Sequence, residues 1–98
     1  MHSQVPQAIL EPVLNQAAAL AKVSRDQLEI VRAEPAIWND GSLGCPEPGM
    51  NYTQALVNGY WVVIKAGRQT YDFRLARGGN FRLCPDGRGH PPLPSDAI

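Results

Sequence analysis

The apolar residues of this chain follow two different spacings. Between Pro6 and Lys22 they recur in steps of three and four, which predicts an amphipathic helix. Pro6 suits the first turn of that helix, whereas Pro12 does not suit its interior, because proline lacks a backbone donor and crowds the carbonyl group four residues earlier. We therefore expect the helix either to bend near residue 8 or to begin at Pro12.

After a short break the spacing changes to alternation, which is typical of β-strands. Pro35 predicts that the first of these strands is an edge strand or carries a bulge. The dipeptide Asn58-Gly59 favours a tight turn or a bulge. In the clearest strand, Tyr60, Val62 and Ile64 share one face. The predicted strands cover residues 28–38, 52–57, 60–65, 69–75 and 81–84.

These elements predict an α+β fold, with one N-terminal helix packed on an antiparallel sheet of about four strands. Leu28 and Ile30 are expected to face the core. The other face, with Trp61 and Val63, also needs a cover, and the long loop over residues 39–51 is the candidate through Leu43, Met50 and Tyr52. We assign residues 1–84 to a single domain. Residues 85–98, rich in Gly and Pro, are predicted to be a disordered tail.

Composition narrows the classes of partner. Nine basic residues balance nine acidic ones, so no net charge favours binding to nucleic acid, and a monomer or a weak homo-oligomer is expected. No window reaches the roughly 18 apolar residues that a membrane span requires. No secretory signal follows Met1, which predicts a cytoplasmic protein if Met1 is the native start and an exported one if the natural chain begins upstream.

The two cysteines, Cys45 and Cys84, are 39 positions apart, which is not a metal-binding spacing. His2 and His90 lie in the terminal segments, so no metal site and no cofactor are predicted. Two interpretations of the cysteines remain open. A disulfide would tie the loop to the last strand and stabilise the fold by about 4 kcal/mol. Two reduced, partly buried thiols are the alternative.

A nucleophilic role for Cys45 has little support. Reactive thiolates need a helix N-terminus or a basic neighbour, whereas Cys45 is followed by Pro46, Glu47 and Pro48. No histidine lies in the predicted folded region to act as a base. A thiol-dependent enzyme using Cys45 is therefore kept only as a second alternative, and we lean towards a protein that is not an enzyme.

The run Asp40-Gly41-Ser42-Leu43-Gly44 matches neither a phosphate-binding loop nor a nucleophile elbow. It predicts a tight turn with a positive φ angle at Gly41 or Gly44, in which Asp40 binds neighbouring backbone groups. The aromatic residues around it either pack in the core or form a binding patch.

The sequence thus favours a non-enzymatic binding or structural module that presents residues 39–54. Its partner is unknown, and a protein is the candidate. The first alternative is a protease-inhibitor-like protein with a proline-stiffened loop. The candidate binding residues are Trp38, Asp40, Ser42, Glu47, Tyr52 and Gln54.

The segment from Trp38 to Gln54 carries a long motif, Trp-x-Asp-Gly-Ser-Leu-Gly-Cys-Pro-x-Pro-Gly-Met-x-Tyr-Thr-Gln, followed by Gly59-Tyr60. By this motif the chain resembles an uncharacterised group of small bacterial proteins and lipoprotein domains, and the resemblance covers residues 24–84. It implies no activity. Because members of the group are often exported, the resemblance favours the Cys45–Cys84 disulfide.

Overall fold

A computed structural model describes residues 4–85 and 88–94 and shows one helix packed on a four-stranded antiparallel sheet. Helix α1 spans Gln7–Ala21, and a 3-10 turn, η1, spans Arg25–Gln27. The strands are β1 (Glu29–Trp38), β2 (Val57–Ala66), β3 (Gln69–Ala76) and β4 (Phe81–Cys84), in the order β1-β2-β3-β4. The predicted α+β fold class is therefore confirmed.

Helix α1 runs through Pro12, so the prediction that the helix begins at Pro12 is wrong. The turn that precedes Pro12 is held in place because its Leu10 is only 3% exposed and packs in the core. The proline ring itself is exposed, so the backbone acceptor that it leaves unpaired is not forced into the core. Lys22, the residue after the helix, adopts a left-handed conformation, and the Val23 N–H donates to the Ala18 carbonyl oxygen.

The main core lies between α1 and one face of the sheet. The central strands β2 and β3 provide its floor, and the helix stripe provides its cover. Partly buried residues, among them Leu28 and Tyr60, surround it. The buried members are Val5, Leu10, Val13, Leu14, Ala17, Val62, Ile64, Phe73 and Leu75.

Asn58 and Gly59 do not form a turn, because both lie within β2. A Cβ atom on Gly59 would overlap the Leu75 carbonyl oxygen and lie 2.9 Å from the carbonyl carbon. Glycine is therefore required here for the close approach of β2 and β3. The prediction of a separate strand over residues 52–57 is also wrong. Only Val57 belongs to a strand, because the ladder between β1 and β2 begins at Val57. Residues 52–56 make a single backbone hydrogen bond to the start of the loop, from the Gly41 N–H to the Thr53 carbonyl oxygen at 2.8 Å, and no ladder.

Strand β1 is an edge strand, as Pro35 predicted, although its bulge lies between Ile30 and Arg32. The Ile37 carbonyl oxygen accepts a hydrogen bond from the Leu93 N–H at 2.9 Å, on the side away from β2. Backbone groups of a strand point alternately to its two sides, so those of Pro35 also point away from β2. The missing N–H of Pro35 therefore costs no hydrogen bond to β2. Ile30, which was expected to face the core, is 39% exposed beside the bulge.

Part of the segment predicted as a disordered tail lies against the domain. The His90 N–H donates to the Gly44 carbonyl oxygen at 2.6 Å, in addition to the Leu93 bond to Ile37. These are backbone interactions, which a search for large apolar side chains does not detect. Residues 86–87 and 95–98 of that segment lie outside the described residues.

Candidate functional site

Residues 39–56 form a long connection between two neighbouring strands. Its ends are close together, because Trp38 and Val57 face each other as partners in the β1–β2 ladder. Antiparallel neighbours need only two residues to connect them. Ordered connections longer than about 12–15 residues are uncommon and usually functional. This loop is therefore the first place to look for a site.

The loop divides into two parts of opposite exposure. The inner loop, residues 39–45, contains four consecutive buried residues, Ser42, Leu43, Gly44 and Cys45. Leu43 packs with Ala36 and Trp38 in a second small core on the face of the sheet opposite α1. The predicted cover for Trp61 is therefore confirmed for Leu43. In the outer loop, residues 46–56, all residues are exposed except Tyr52. Met50 is 56% exposed, so its predicted role in that cover is wrong.

Arg74 holds the inner loop against the sheet. It lies in the middle of β3 and is only 2% exposed. Its Nη1 donates to the carbonyl oxygens of Leu43, Gly44 and His90, at 3.2, 2.8 and 2.7 Å. Its Nε and Nη2 donate to the two carboxylate oxygens of Asp72, both at 3.1 Å. All three guanidinium nitrogens are therefore hydrogen-bonded, as a buried charge requires.

Two tryptophans enclose this guanidinium group. The centroids of Trp38 and Trp61 lie 5.0 and 5.5 Å from the Arg74 Cζ atom, within cation–π range. The Trp61 indole N–H donates to the Asp72 carboxylate at 2.7 Å, and the Trp38 indole N–H donates to the Leu75 carbonyl oxygen at 3.2 Å. The two rings meet edge to face, with centroids 6.2 Å apart. The arrangement fixes both tryptophans as part of the support for the loop.

Cys45 and Cys84 form a disulfide that ties the inner loop to β4, with their Cα atoms 5.8 Å apart. Both residues are buried. Because the two sulfur atoms are bonded to each other, the alternative of two reduced thiols does not describe this structure. Gly89 passes over the bond. A Cβ atom at Gly89 would lie 2.5 Å from the Arg74 Nη2 atom and 2.9 Å from the Cys84 Sγ atom. Loop, disulfide, Arg74 and the segment 88–90 therefore pack as one unit.

The predicted tight turn is present, and Asp40 organises it. The Asp40 carboxylate accepts hydrogen bonds from the Ser42 N–H at 2.9 Å and from the Ser42 hydroxyl at 2.5 Å. Gly44 has the expected positive φ of 72°, but the second such position is Leu43, with φ 58°, and not Gly41. Left-handed backbone costs a residue with a side chain about 1–2 kcal/mol. Burial of the Leu43 side chain and the Arg74 hydrogen bonds offset that cost.

Arg82 joins the two parts of the loop. Its Nη1 donates to the Ser42 carbonyl oxygen at 3.2 Å, and its Nη2 lies 3.6 Å from the Glu47 carboxylate. Its guanidinium group also stacks 5.5 Å from the Tyr52 ring centroid. The Tyr52 hydroxyl in turn accepts a hydrogen bond from the Glu47 N–H at 3.1 Å. The base of the outer loop is thus attached to β4.

The structure separates the six predicted binding residues into three groups by exposure. Trp38 and Ser42 are buried and therefore act inside the fold, and Asp40 and Tyr52 are half-buried and engaged in the contacts above. Glu47 and Gln54 are exposed on the outer loop.

Arg74 was not predicted, because on an alternating strand it takes the face opposite Phe73 and Leu75, which is usually solvated. The feature that could have revealed it is its neighbour in the sheet. Arg74 lies directly opposite Trp61, and an aromatic residue on that face indicates that the surface is covered.

Within residues 4–85 and 88–94, no group of three or more His, Cys, Asp or Glu side chains is placed to hold a metal ion. Away from the loop, a groove of about 670 Å³ lies across the outer edge of β1. Its walls come from β1, β2, the N-terminal segment and the prolines near Leu93. They include Arg32, Glu34, Pro35, Tyr60, Pro92 and Leu93.

The fold and its anchored loop define a small disulfide-containing α+β domain in which one sheet face is covered by a helix and the other by a loop. The chain belongs to the family described as Domain of unknown function (DUF8738), whose model matches residues 10–84. No curated protein and no solved structure shows a significant match to it. No helix in the described part of the chain is long and apolar enough to cross a membrane.

Proposed function

We propose that the protein is a non-enzymatic binding module that presents its outer loop to a partner protein. The observation that carries this proposal is the contrast within the loop. Its inner part is fastened by a disulfide and a buried arginine, whereas its outer part stays exposed and includes Met50 and Leu56, 56% and 64% exposed. A loop required only to cover the sheet would need only a few residues to return from Cys45, tied to β4, to Val57 in β2, because an extended residue spans about 3.3 Å.

The outer loop is held by contacts within the chain. The Met50 N–H donates to the Glu47 carbonyl oxygen at 3.2 Å and closes a turn, in which Gly49 adopts a positive φ of 80°. Arg82 and Tyr52 hold the base of that turn through Glu47. A loop held in one conformation loses less conformational entropy on binding, so more of its contact energy becomes affinity.

The surface of the outer loop suits a protein with an uncharged, partly apolar patch. Two exposed apolar side chains, Met50 and Leu56, are accompanied by neutral polar residues at 51, 53 and 54. Methionine is enriched at protein interfaces. The one charged residue among 46–56 is Glu47, an acid, which disfavours a phosphate backbone as the partner.

The disulfide supports the further proposal that the protein works in an oxidising compartment, after export, because such bonds seldom persist in the cytosol. Of the two alternative functions, a protease inhibitor would need an extended loop, whereas Glu47–Met50 is closed into a turn. For a thiol enzyme, the Cys45 Sγ atom is bonded to Cys84 and buried. No observation favours either alternative.

The test is site-specific photocrosslinking in the source cells. A photoreactive residue placed at Met50 is expected to give a defined adduct with another protein, and the same residue at Thr70, at the far end of the sheet, is not. Leu56→Ser is expected to abolish the adduct without changing the melting temperature. Equal crosslinking from both positions, or an adduct that persists in Leu56→Ser, would count against the outer loop as the binding surface.

A further inference from the structure

Among the described residues, the outer edge of strand β1 is hydrogen-bonded at one end only. The Leu93 N–H meets the Ile37 carbonyl oxygen at the C-terminal end of the strand. Within the described ranges 4–85 and 88–94, no other backbone hydrogen bond reaches the outer side of β1. An open edge of this kind is a template for pairing with another strand.

The side chains at the open end favour pairing. Ile30 and Val31 are β-branched residues, 39% and 54% exposed, beside the bulge. Arg32 and Glu34 follow, and each has 42% of its side chain exposed. They lie 3.0 Å apart on one face of the strand, with Ala33 between them.

We propose that β1 pairs antiparallel with β1 of a second copy of this chain, about a two-fold axis beside Ala33. In that register Ala33 faces Ala33 of the second copy, and Arg32 faces Glu34 of the second copy. The two-fold axis repeats the Arg32–Glu34 contact, so two pairs of opposite charge form across the strands. The order Arg-Ala-Glu about the axis makes this edge complementary to itself.

The backbone supports the same register. The outward carbonyl group of Ile37 fixes the alternation, which also directs the N–H and C=O groups of Ala33 outward. The two Ala33 residues can therefore exchange a pair of hydrogen bonds. Pro35, the next outward position, offers a carbonyl group but no donor, and Leu93 occupies the position at Ile37. The paired segment is short, so the dimer is weak and depends on concentration.

A zero net charge adds no long-range repulsion between copies. The outer loop takes no part in this contact, so the dimer does not rest on the proposed binding function. Leu56→Ser is expected to dimerise as the natural chain does.

Variants in which one charge beside the axis is reversed test the dimer. Sedimentation velocity of the full chain from micromolar to millimolar concentration is expected to show a monomer–dimer equilibrium. Arg32→Glu places two acids opposite each other at both contacts, and Glu34→Lys places two bases there, so each variant is expected to dimerise about tenfold more weakly. An equimolar mixture of the two variants restores both attractive pairs and is expected to restore the dimer.

The mixture distinguishes a contact between copies from loss of the Arg32–Glu34 pair within one chain, because the latter is lost in both variants and mixing cannot restore it. Thermal melts at low concentration check that both variants fold. In a second readout, the amide proton of Ala33 is expected to exchange with solvent more slowly as concentration rises. A chain that stays monomeric at millimolar concentration, or a mixture no more associated than its components, overturns the proposal.

Discussion

The Arg74 guanidinium group donates to the carbonyl oxygen of Gly44 at 2.8 Å, deep under the loop that it supports. Gly44 has no room for a side chain, since a Cβ atom there would lie 2.6 Å from the Arg74 Nη1 atom and 3.0 Å from the Trp38 ring. The contact explains why a charged residue occupies the middle of a central strand: the loop provides backbone acceptors that replace water.

Replacement of Arg74 by methionine is expected to destabilise the fold by about 3 kcal/mol. The methionine fills a similar volume but leaves the carbonyl groups of Leu43, Gly44 and His90 without a donor and Asp72 without its ion-pair partner. Chemical denaturation measures the change. Arg77→Met, an exposed arginine just beyond β3, is the matched control and is expected to change stability by less than about 0.5 kcal/mol. Equal effects of the two substitutions would contradict the role given to Arg74.

The disulfide is expected to contribute about 4 kcal/mol to the free energy of unfolding, because it closes a separation of 39 residues in the unfolded chain. Denaturation of the natural chain with and without a reductant measures this difference. The double variant Cys45→Ser with Cys84→Ser should be less stable by a comparable amount and insensitive to the reductant. Identical midpoints for the natural chain in both conditions would refute the estimate.

Gly59→Ala is expected to destabilise the protein by about 3 kcal/mol, because the added methyl group meets the backbone of Leu75 and forces β2 and β3 apart. Gly78→Ala is the control. A Cβ atom at Gly78 has no atom of the rest of the described chain within 4 Å, so a change below about 0.5 kcal/mol is expected. Thermal unfolding followed by circular dichroism distinguishes the two. A mild effect at Gly59 would show that the ladder can shift to admit a side chain.

The pKa of Glu11 lies below its ordinary value of 4.5, chiefly because the Arg25 side chain donates hydrogen bonds to its carboxylate. The folded chain therefore favours the charged carboxylate more than the unfolded chain does. This contribution to stability is fully present above pH 4.5 and is lost as the pH falls through the lowered pKa. The same contact raises the pKa of Arg25. Because both shifts come from one interaction, Arg25 adds no separate stabilisation once Glu11 is protonated.

Carbon-detected NMR titration of the Glu11 carboxyl group tests that contact. The pKa of Glu11 is expected to rise in Arg25→Gln and to rise less in Gln7→Ala. The reason is that the hydrogen bond from Gln7 lowers this pKa less than the hydrogen bonds from Arg25 do. An unchanged Glu11 pKa in Arg25→Gln would mean that the pair does not persist in solution.

Periodicity decided most of the secondary structure. The alternation of Tyr60, Val62 and Ile64 placed these residues on one face of β2, and the predicted bounds of β4 match the observed strand. Alternation failed at residues 52–57, because a strand also needs a partner, and the partner of Val57 is fixed by the ladder of β1. It failed at Gly59 because a glycine in a turn and a glycine under a close strand crossing look alike in sequence.

The loop shows more clearly which features the sequence determines and which depend on the tertiary structure. By itself the sequence determined that residues 39–51 form a turn-rich loop, that Asp40 binds the backbone near it, and that Cys45 and Cys84 are the residues that could fasten it. Only the tertiary structure decided that Trp38 and Ser42 lie inside while Glu47, Met50 and Gln54 lie outside, and that Arg74 holds the loop. Local composition fixes turns because φ preferences act over a few residues, whereas burial depends on which distant strand lies beneath, here β3, some thirty positions along the chain.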